Sequence, residues 1–277
     1  MTRVGPLWRV HRQEPLALAP YVHERAGYVG VPGPRYEARL VPNNCVMVVV
    51  NLGAPFTRMG RLDGPPPTVS TLRTPVGGLE DGPGVVEHPG GQEALRIQVT
   101  PLGAYRLFAM PLSELSNTVV GLDDVLGPAA DELIERLAAT TDWARRFALL
   151  DNTLLHRIDQ GPAVDPHVAH AWHLLTAGPR AIPIARIAKE IGWSHKHLLR
   201  RFTHQIGLTP KSVARIVRFQ HAVALLSSPG AKLGEVSATC KFYDQAHMNR
   251  DFRELAGVSP KLCASSPWAA ARAVELD

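Results

Sequence analysis

One pattern is written twice in the last hundred or so residues of the chain. The first copy runs from Ile184 to Phe202 as IARIAKEIGWSHKHLLRRF, followed by GLTPK at 207–211. The second runs from Leu233 to Phe252 as LGEVSATCKFYDQAHMNRDF, followed by GVSPK at 257–261. Arg200, Phe202, Gly207, Pro210 and Lys211 each recur fifty positions later, as Arg250, Phe252, Gly257, Pro260 and Lys261. A repeat this regular limits the C-terminal region to two copies of one small supersecondary unit.

The residues of copy one spell out that unit. Ile184, Ile187, Ala188 and Ile191 fall at i, i+3, i+4 and i+7, the buried face of a short helix. Gly192 follows, where a sharp turn needs a left-handed backbone that glycine reaches at little cost. Ser194 caps the next helix, in which Leu198 and Phe202 point inward. His195, Lys196, Leu199 and Arg200 then face outward. This is a helix-turn-helix whose second helix fits the major groove with its N-terminal side chains at the base edges. Arg and Lys suit guanine, and Leu199 suits a thymine methyl.

Copy two repeats the arrangement, with Asp244 as cap, Met248 and Phe252 inward, and Gln245, Ala246, Asn249 and Arg250 outward. Gln and Asn are adenine readers, and Arg250 suits guanine or phosphate. Lys241 stands where the turn glycine is expected, at a cost on the order of 1 kcal/mol if the turn is left-handed. Copy two also has one residue more between turn and cap, Phe242-Tyr243 against Trp193. Between the copies, Thr209 and Pro210 start a helix with Val213, Ile216, Val217 and Leu226 inward. Seventeen residues of helix span about 26 Å, against about 34 Å between successive major grooves on one face of DNA. Such a linker sets two recognition helices on neighbouring grooves. Arg215, Arg218 and Arg253 are candidates for phosphate contacts, which position without specifying.

Charge follows the same division. Residues 166–261 hold 14 Lys and Arg against 5 Asp and Glu, whereas the rest of the chain is mildly acidic. A basic C-terminal part points to a polyanionic partner for that part alone. Cys45, Cys240 and Cys263 are scattered, with neither a disulfide framework nor zinc spacing. The N-terminus carries no signal-peptide core, and no apolar run reaches membrane-spanning length. A cytoplasmic, nucleoid-associated protein without a membrane partner is expected.

The N-terminal part reads differently. Residues 1 to about 110 are rich in Gly and Pro, with β-type runs such as Cys45–Asn51 and the alternating Glu93–Thr100, and a loop at Pro65–Pro67. Helical spacing then appears at Asp123–Leu126, Ala129–Ala139 (stripe Leu133, Ile134, Leu137) and Trp143–Arg157 (stripe Phe147, Leu150, Leu154). Residues 159–165 look like a linker, and Asp165-Pro166 starts a helix that carries Val168, Trp172 and Leu175 inward and stops at Gly178-Pro179. The expected class is α+β. Residues 1–160 form a β-rich sensor or dimerisation domain, a small barrel or sandwich ending in helices. Residues 161–277 form an all-α domain with two helix-turn-helix units.

Residues 166–264 resemble the DNA-binding domain of the AraC/XylS family of bacterial transcription regulators, on IARIAKEIGWSHKHLLRRF with GLTPK and CKFYDQAHMNRDF with GVSPK. The resemblance implies a two-lobed domain of seven helices on an asymmetric promoter site. Base-contacting positions would map onto Lys196, Leu199 and Arg200 in one lobe and Gln245, Ala246, Asn249 and Arg250 in the other. RLVPNNCVMVVVNLG, VTPLGAYRLFAMPLSEL and GLDDVLG are similar to the divergent sensor domains of some members, which implies a cupin-like effector pocket or a dimerisation module. The expected partners are promoter DNA and RNA polymerase, with room for a small-molecule effector and a homodimer.

Some residues invite other readings. His167, His170 and His173 lie three apart on one helix, but the outer pair diverges by about 240°, so surface histidines are expected rather than a metal site. His11, His23 and His88 are isolated, without the His-x-His pair of a metal-dependent cupin enzyme. Cys45 and Cys240 are expected to be packing residues. Neither a cofactor nor an enzymatic activity is expected. The alternative is a bifunctional chain whose N-terminal domain couples enzymatic or sensor chemistry to DNA binding.

Overall fold

A computed structural model describes residues 8–12, 18–30, 36–56, 58–62, 72–88, 90–178 and 182–264. The expected loop at Pro65–Pro67 and the helix stop at Pro179 lie outside these residues.

The described residues of the N-terminal half include eight strands before the first helix: β1 (Trp8–Arg12), β2 (Val22–Gly30), β3 (Tyr36–Leu40), β4 (Val46–Asn51), β5 (Arg58–Arg61), β6 (Pro75–Gly77), β7 (Gly84–His88) and β8 (Glu93–Val99). Helix α1 (Pro101–Phe108), β9 (Val119–Gly121), α2 (Leu122–Leu126), α3 (Pro128–Ala138) and α4 (Trp143–Gln160) follow. Six strands pair in the order β1-β2-β8-β4-β6-β9, and β3, β7 and β5 form a second antiparallel sheet. Of the two forms expected, the described residues give packed sheets rather than a closed barrel.

The run CVMVVVN explains the layering. Val46, Val48 and Val50 point to one side, into an apolar cluster with Phe147, Leu150 and Leu154 of α4. Val49 points to the other side and meets Val86 of the smaller sheet. A central strand covered on both faces reads as a continuous apolar run, which is why β4 shows no alternation. The large sheet therefore lies between helices and the small sheet. Trp143 starts α4 directly over β2, and a Cβ on Gly27 would sit 2.3 Å from its ring.

The described residues of the C-terminal part form seven helices: α5 (Pro166–Thr176), α6 (Ile184–Glu190), α7 (His195–Ile206), α8 (Pro210–Leu226), α9 (Leu233–Thr239), α10 (Gln245–Ala256) and α11 (Pro260–Ala264). Val168, Trp172 and Leu175 of α5 join Leu198 and Phe202 of α7 and Val213, Ile216 and Val217 of α8 in one cluster. Val41, Leu79 and Leu102 from the N-terminal half belong to the same cluster. Three polar contacts reinforce that junction. Ser116 Oγ donates to Gly207 O at 2.6 Å, Asn44 Nδ2 to Gln220 Oε1 at 2.8 Å, and Ser212 Oγ to Asp81 Oδ2 at 3.4 Å.

Candidate nucleic-acid interface

Both helix-turn-helix units form as their sequences require. Ile187 and Ala188 bury the inner face of α6. Gly192 then turns left-handed with φ 73°, and open space surrounds its missing Cβ. Trp193 N returns to Ala188 O at 2.9 Å, and Ser194 Oγ accepts from His197 N at 3.2 Å to start α7. Trp193 lies between the rings of His167 (5.0 Å) and His197 (4.5 Å). His167 thus belongs to the packing of the first lobe, and His170 pairs with Glu190 at 2.9 Å.

In the second unit, Val236 and Cys240 are the buried counterparts of Ile187 and Ile191. Lys241 adopts φ 59°, so the missing glycine leaves the turn geometry unchanged. Phe242 N returns to Ser237 O at 3.0 Å, as Trp193 does to Ala188. The extra residue is Tyr243, which stands 93% exposed immediately before the cap. Asp244 Oδ1 then accepts from His247 N at 2.6 Å and starts α10. Burial holds the Cys240 thiol protonated, its pKa pushed up to about 11 against the opposing charge of Arg218.

The outward faces match the sequence reading. On α7, His195, Lys196, Leu199 and Arg200 are exposed. On α10, Gln245, Ala246 and Arg250 are exposed and Asn249 is half-buried. Leu198, Phe202, Met248 and Phe252 are fully buried beneath them. Each lobe therefore offers one exposed helix face backed by a pair of apolar side chains, with Lys196 and Arg200 on that of α7 and Arg250 on that of α10.

The three arginines assigned to phosphate behave differently from one another. Arg215 Nε pairs with Asp251 Oδ1 at 2.9 Å and also meets Glu254. Arg218 pairs with Asp251 Oδ2 at 2.8 Å and lies over the Phe242 ring at 4.9 Å. These two guanidiniums are committed within the domain, where they fix α10 against α8. Arg253 is exposed and carries no ion pair among the described residues. The sequence marks Tyr243 only as part of the one-residue difference between the two turns; its exposure beside the cap emerges from the structure.

Among the described residues no group of three His, Cys, Asp or Glu is placed to hold a metal ion. No described helix is long and apolar enough to cross a membrane.

Residues 167–263 match the family model described as a helix-turn-helix domain. The chain is 34% identical over 77 residues to an uncharacterized HTH-type transcriptional regulator, YidL of Escherichia coli, covering 28% of this chain and 26% of that protein. It is 42% identical over 57 residues to a second, YbfI of Bacillus subtilis, covering 21% and 20% of the two chains. The matched region thus spans about a quarter or less of either relative. The crystal structure of ToxT from Vibrio cholerae aligns over 87% of this chain and 96% of its own, at 9% identity and a TM-score of 0.46. The repeat, its two turns and caps, and the matched sequences together make residues 167–263 a tandem helix-turn-helix domain, similar to that of HTH-type transcriptional regulators.

Proposed function

We propose that the chain is a sequence-specific transcription regulator that reads one DNA site with two helices of a single protomer. The observation that carries this reading is the pair of exposed faces on α7 and α10, each backed by a buried apolar pair and joined by a 17-residue helix. His195, Lys196, Leu199 and Arg200 read one half-site, and Gln245, Ala246, Asn249 and Arg250 the other. Arg253 is the phosphate-contacting member of its trio. The protein works in the bacterial cytoplasm by occupying promoter DNA near RNA polymerase, not by catalytic turnover. Residues 1–160 serve as the sensing domain, for a small-molecule effector, and as the place for any dimer contact.

The test is retention of genomic fragments by the full chain, sequencing of what is retained, and salt titration of the best fragment. An asymmetric site with half-sites about one helical turn apart and a steep salt slope is expected. Arg200→Ala and Arg250→Ala should each cost about 1–3 kcal/mol and relax base preference at one half-site. Unchanged affinity and preference in both variants would refute the contact assignment.

A further inference from the structure

A cleft of about 620 Å³ opens on the helical side of the N-terminal half, between α3 on one wall and α1 with α4 on the other. Its volume lies within the range of small-molecule sites. Arg136 lines the α3 wall, Arg106 and Arg157 line the opposite one, and Glu132 is the single carboxylate among the lining residues. Leu107 and Leu133 supply an apolar floor, and both also border a small, mostly apolar void deeper in the core.

Two of the guanidiniums are held in place without being neutralised. Arg106 Nε donates to Ile158 O at 2.9 Å and its Nη1 to Tyr21 OH at 3.0 Å. Arg157 Nη2 donates to Leu126 O at 3.4 Å. Neither has a carboxylate partner among the described residues. Arg136 meets Glu132 only at 3.7 Å, one turn away on an exposed face. Carbonyl and phenol oxygens orient a guanidinium but leave its charge in place, so the cleft keeps cationic forks ready for an acceptor.

We propose that this cleft binds a small organic anion, its carboxylate clamped between Arg136 and Arg157 and its apolar body on Leu107 and Leu133. The inference rests on the regulator reading and names the ligand class of its sensing half. The surroundings also provide a route outward. Helix α1 lines the cleft with Arg106 and Leu107, while its Tyr105 ring meets His204 of α7 at 5.9 Å. Its Leu102 lies in the apolar cluster of the DNA-binding helices. Gly161, where the chain leaves α4 toward that domain, lines the cleft too, and a Cβ there would strike Arg106 O at 2.1 Å. An occupant that shifts α1 therefore pushes on one recognition helix and on the start of the connection.

The test is titration of the full chain with benzoate, with its uncharged analogue benzamide in parallel. Binding is read by calorimetry, and its location by amide hydrogen exchange. Benzoate should protect α1, α3 and α4, benzamide should not, and Arg136→Gln and Arg157→Gln should each weaken binding about tenfold. Arg136 is exposed and holds no core contact, so its variant should melt with the parent and decides the matter if Arg157→Gln unfolds. Equal response to benzamide, no binding at 10 mM benzoate, or unchanged affinity in Arg136→Gln would each overturn the proposal. Protection confined to α7 and α10 would overturn it as well, since that marks an anion on the DNA-reading face. Benzoate binding is measured without DNA and fragment retention without benzoate, so failure of one reading is separable from failure of the other.

Discussion

Lys241 and Gly192 occupy the same left-handed turn, and that makes a matched pair of experiments. The side chain of Lys241 pays for a backbone conformation that glycine adopts freely. Lys241→Gly should therefore change stability by little more than the relief of that strain less the entropy glycine adds, a gain of at most about 1 kcal/mol. Gly192→Ala should lose about 1 kcal/mol with no steric clash, because nothing lies within 4 Å of the new Cβ. Denaturant midpoints at constant slope measure both. A second residue-scale case is Asp165. Burial opposes its charge, but hydrogen bonds from His167 N and Arg201 outweigh this and hold its pKa below the ordinary 3.8. Its contribution is complete above that ordinary value and disappears as pH falls through the depressed one. Asp165→Asn, still a good cap, should flatten the acid limb of the stability curve, whereas Asp165→Ala should also cost about 1 kcal/mol at neutral pH.

At the scale of elements, the joint between α8 and α10 matters most for how the second lobe is aimed. Asp251 is only 6% exposed and receives both Arg215 and Arg218. Removing one member of a buried ionic group leaves its partners uncompensated, so Asp251→Ala should destabilise by about 3 kcal/mol and weaken DNA binding without touching a reading residue. Melting temperature and half-site preference, measured together, distinguish this from loss of a contact. The same joint marks where the sequence stopped being legible. Local patterns announced α6, α7, α9 and α10, with the caps of α7 and α10, because apolar spacing and capping residues are short-range signals. Linear spacing could not reveal that Arg215 and Arg218 turn toward a carboxylate more than thirty residues away. Nor could it sort β4 and β8 into one sheet and β3, β5 and β7 into another, since pairing depends on contacts distant in the chain.

For the whole molecule, the apolar cluster that joins Val41, Leu79 and Leu102 to the DNA-binding helices ties the stability of the two halves together. Calorimetry should record a single unfolding transition. Leu79→Ala should cost about 2–5 kcal/mol, the range for emptying a packed leucine site, and should separate the halves into distinguishable steps. All three cysteines are buried, so the native protein should resist thiol reagents that label it fully once unfolded. The cap glycine of the first recognition helix adds a consequence of another kind. Ser116 Oγ donates to the carbonyl of Gly207. That recognition helix is thus anchored at its far end, with its reading end left open. A 12-residue helix is a lever about 18 Å long, and a tilt of roughly 5° at the anchor swings the tip by about 1.5 Å. That displacement exceeds the tolerance of a base-edge hydrogen bond yet leaves phosphate attraction nearly untouched. A signal from the N-terminal half would retune which sequence is read well before it loosens the grip on DNA.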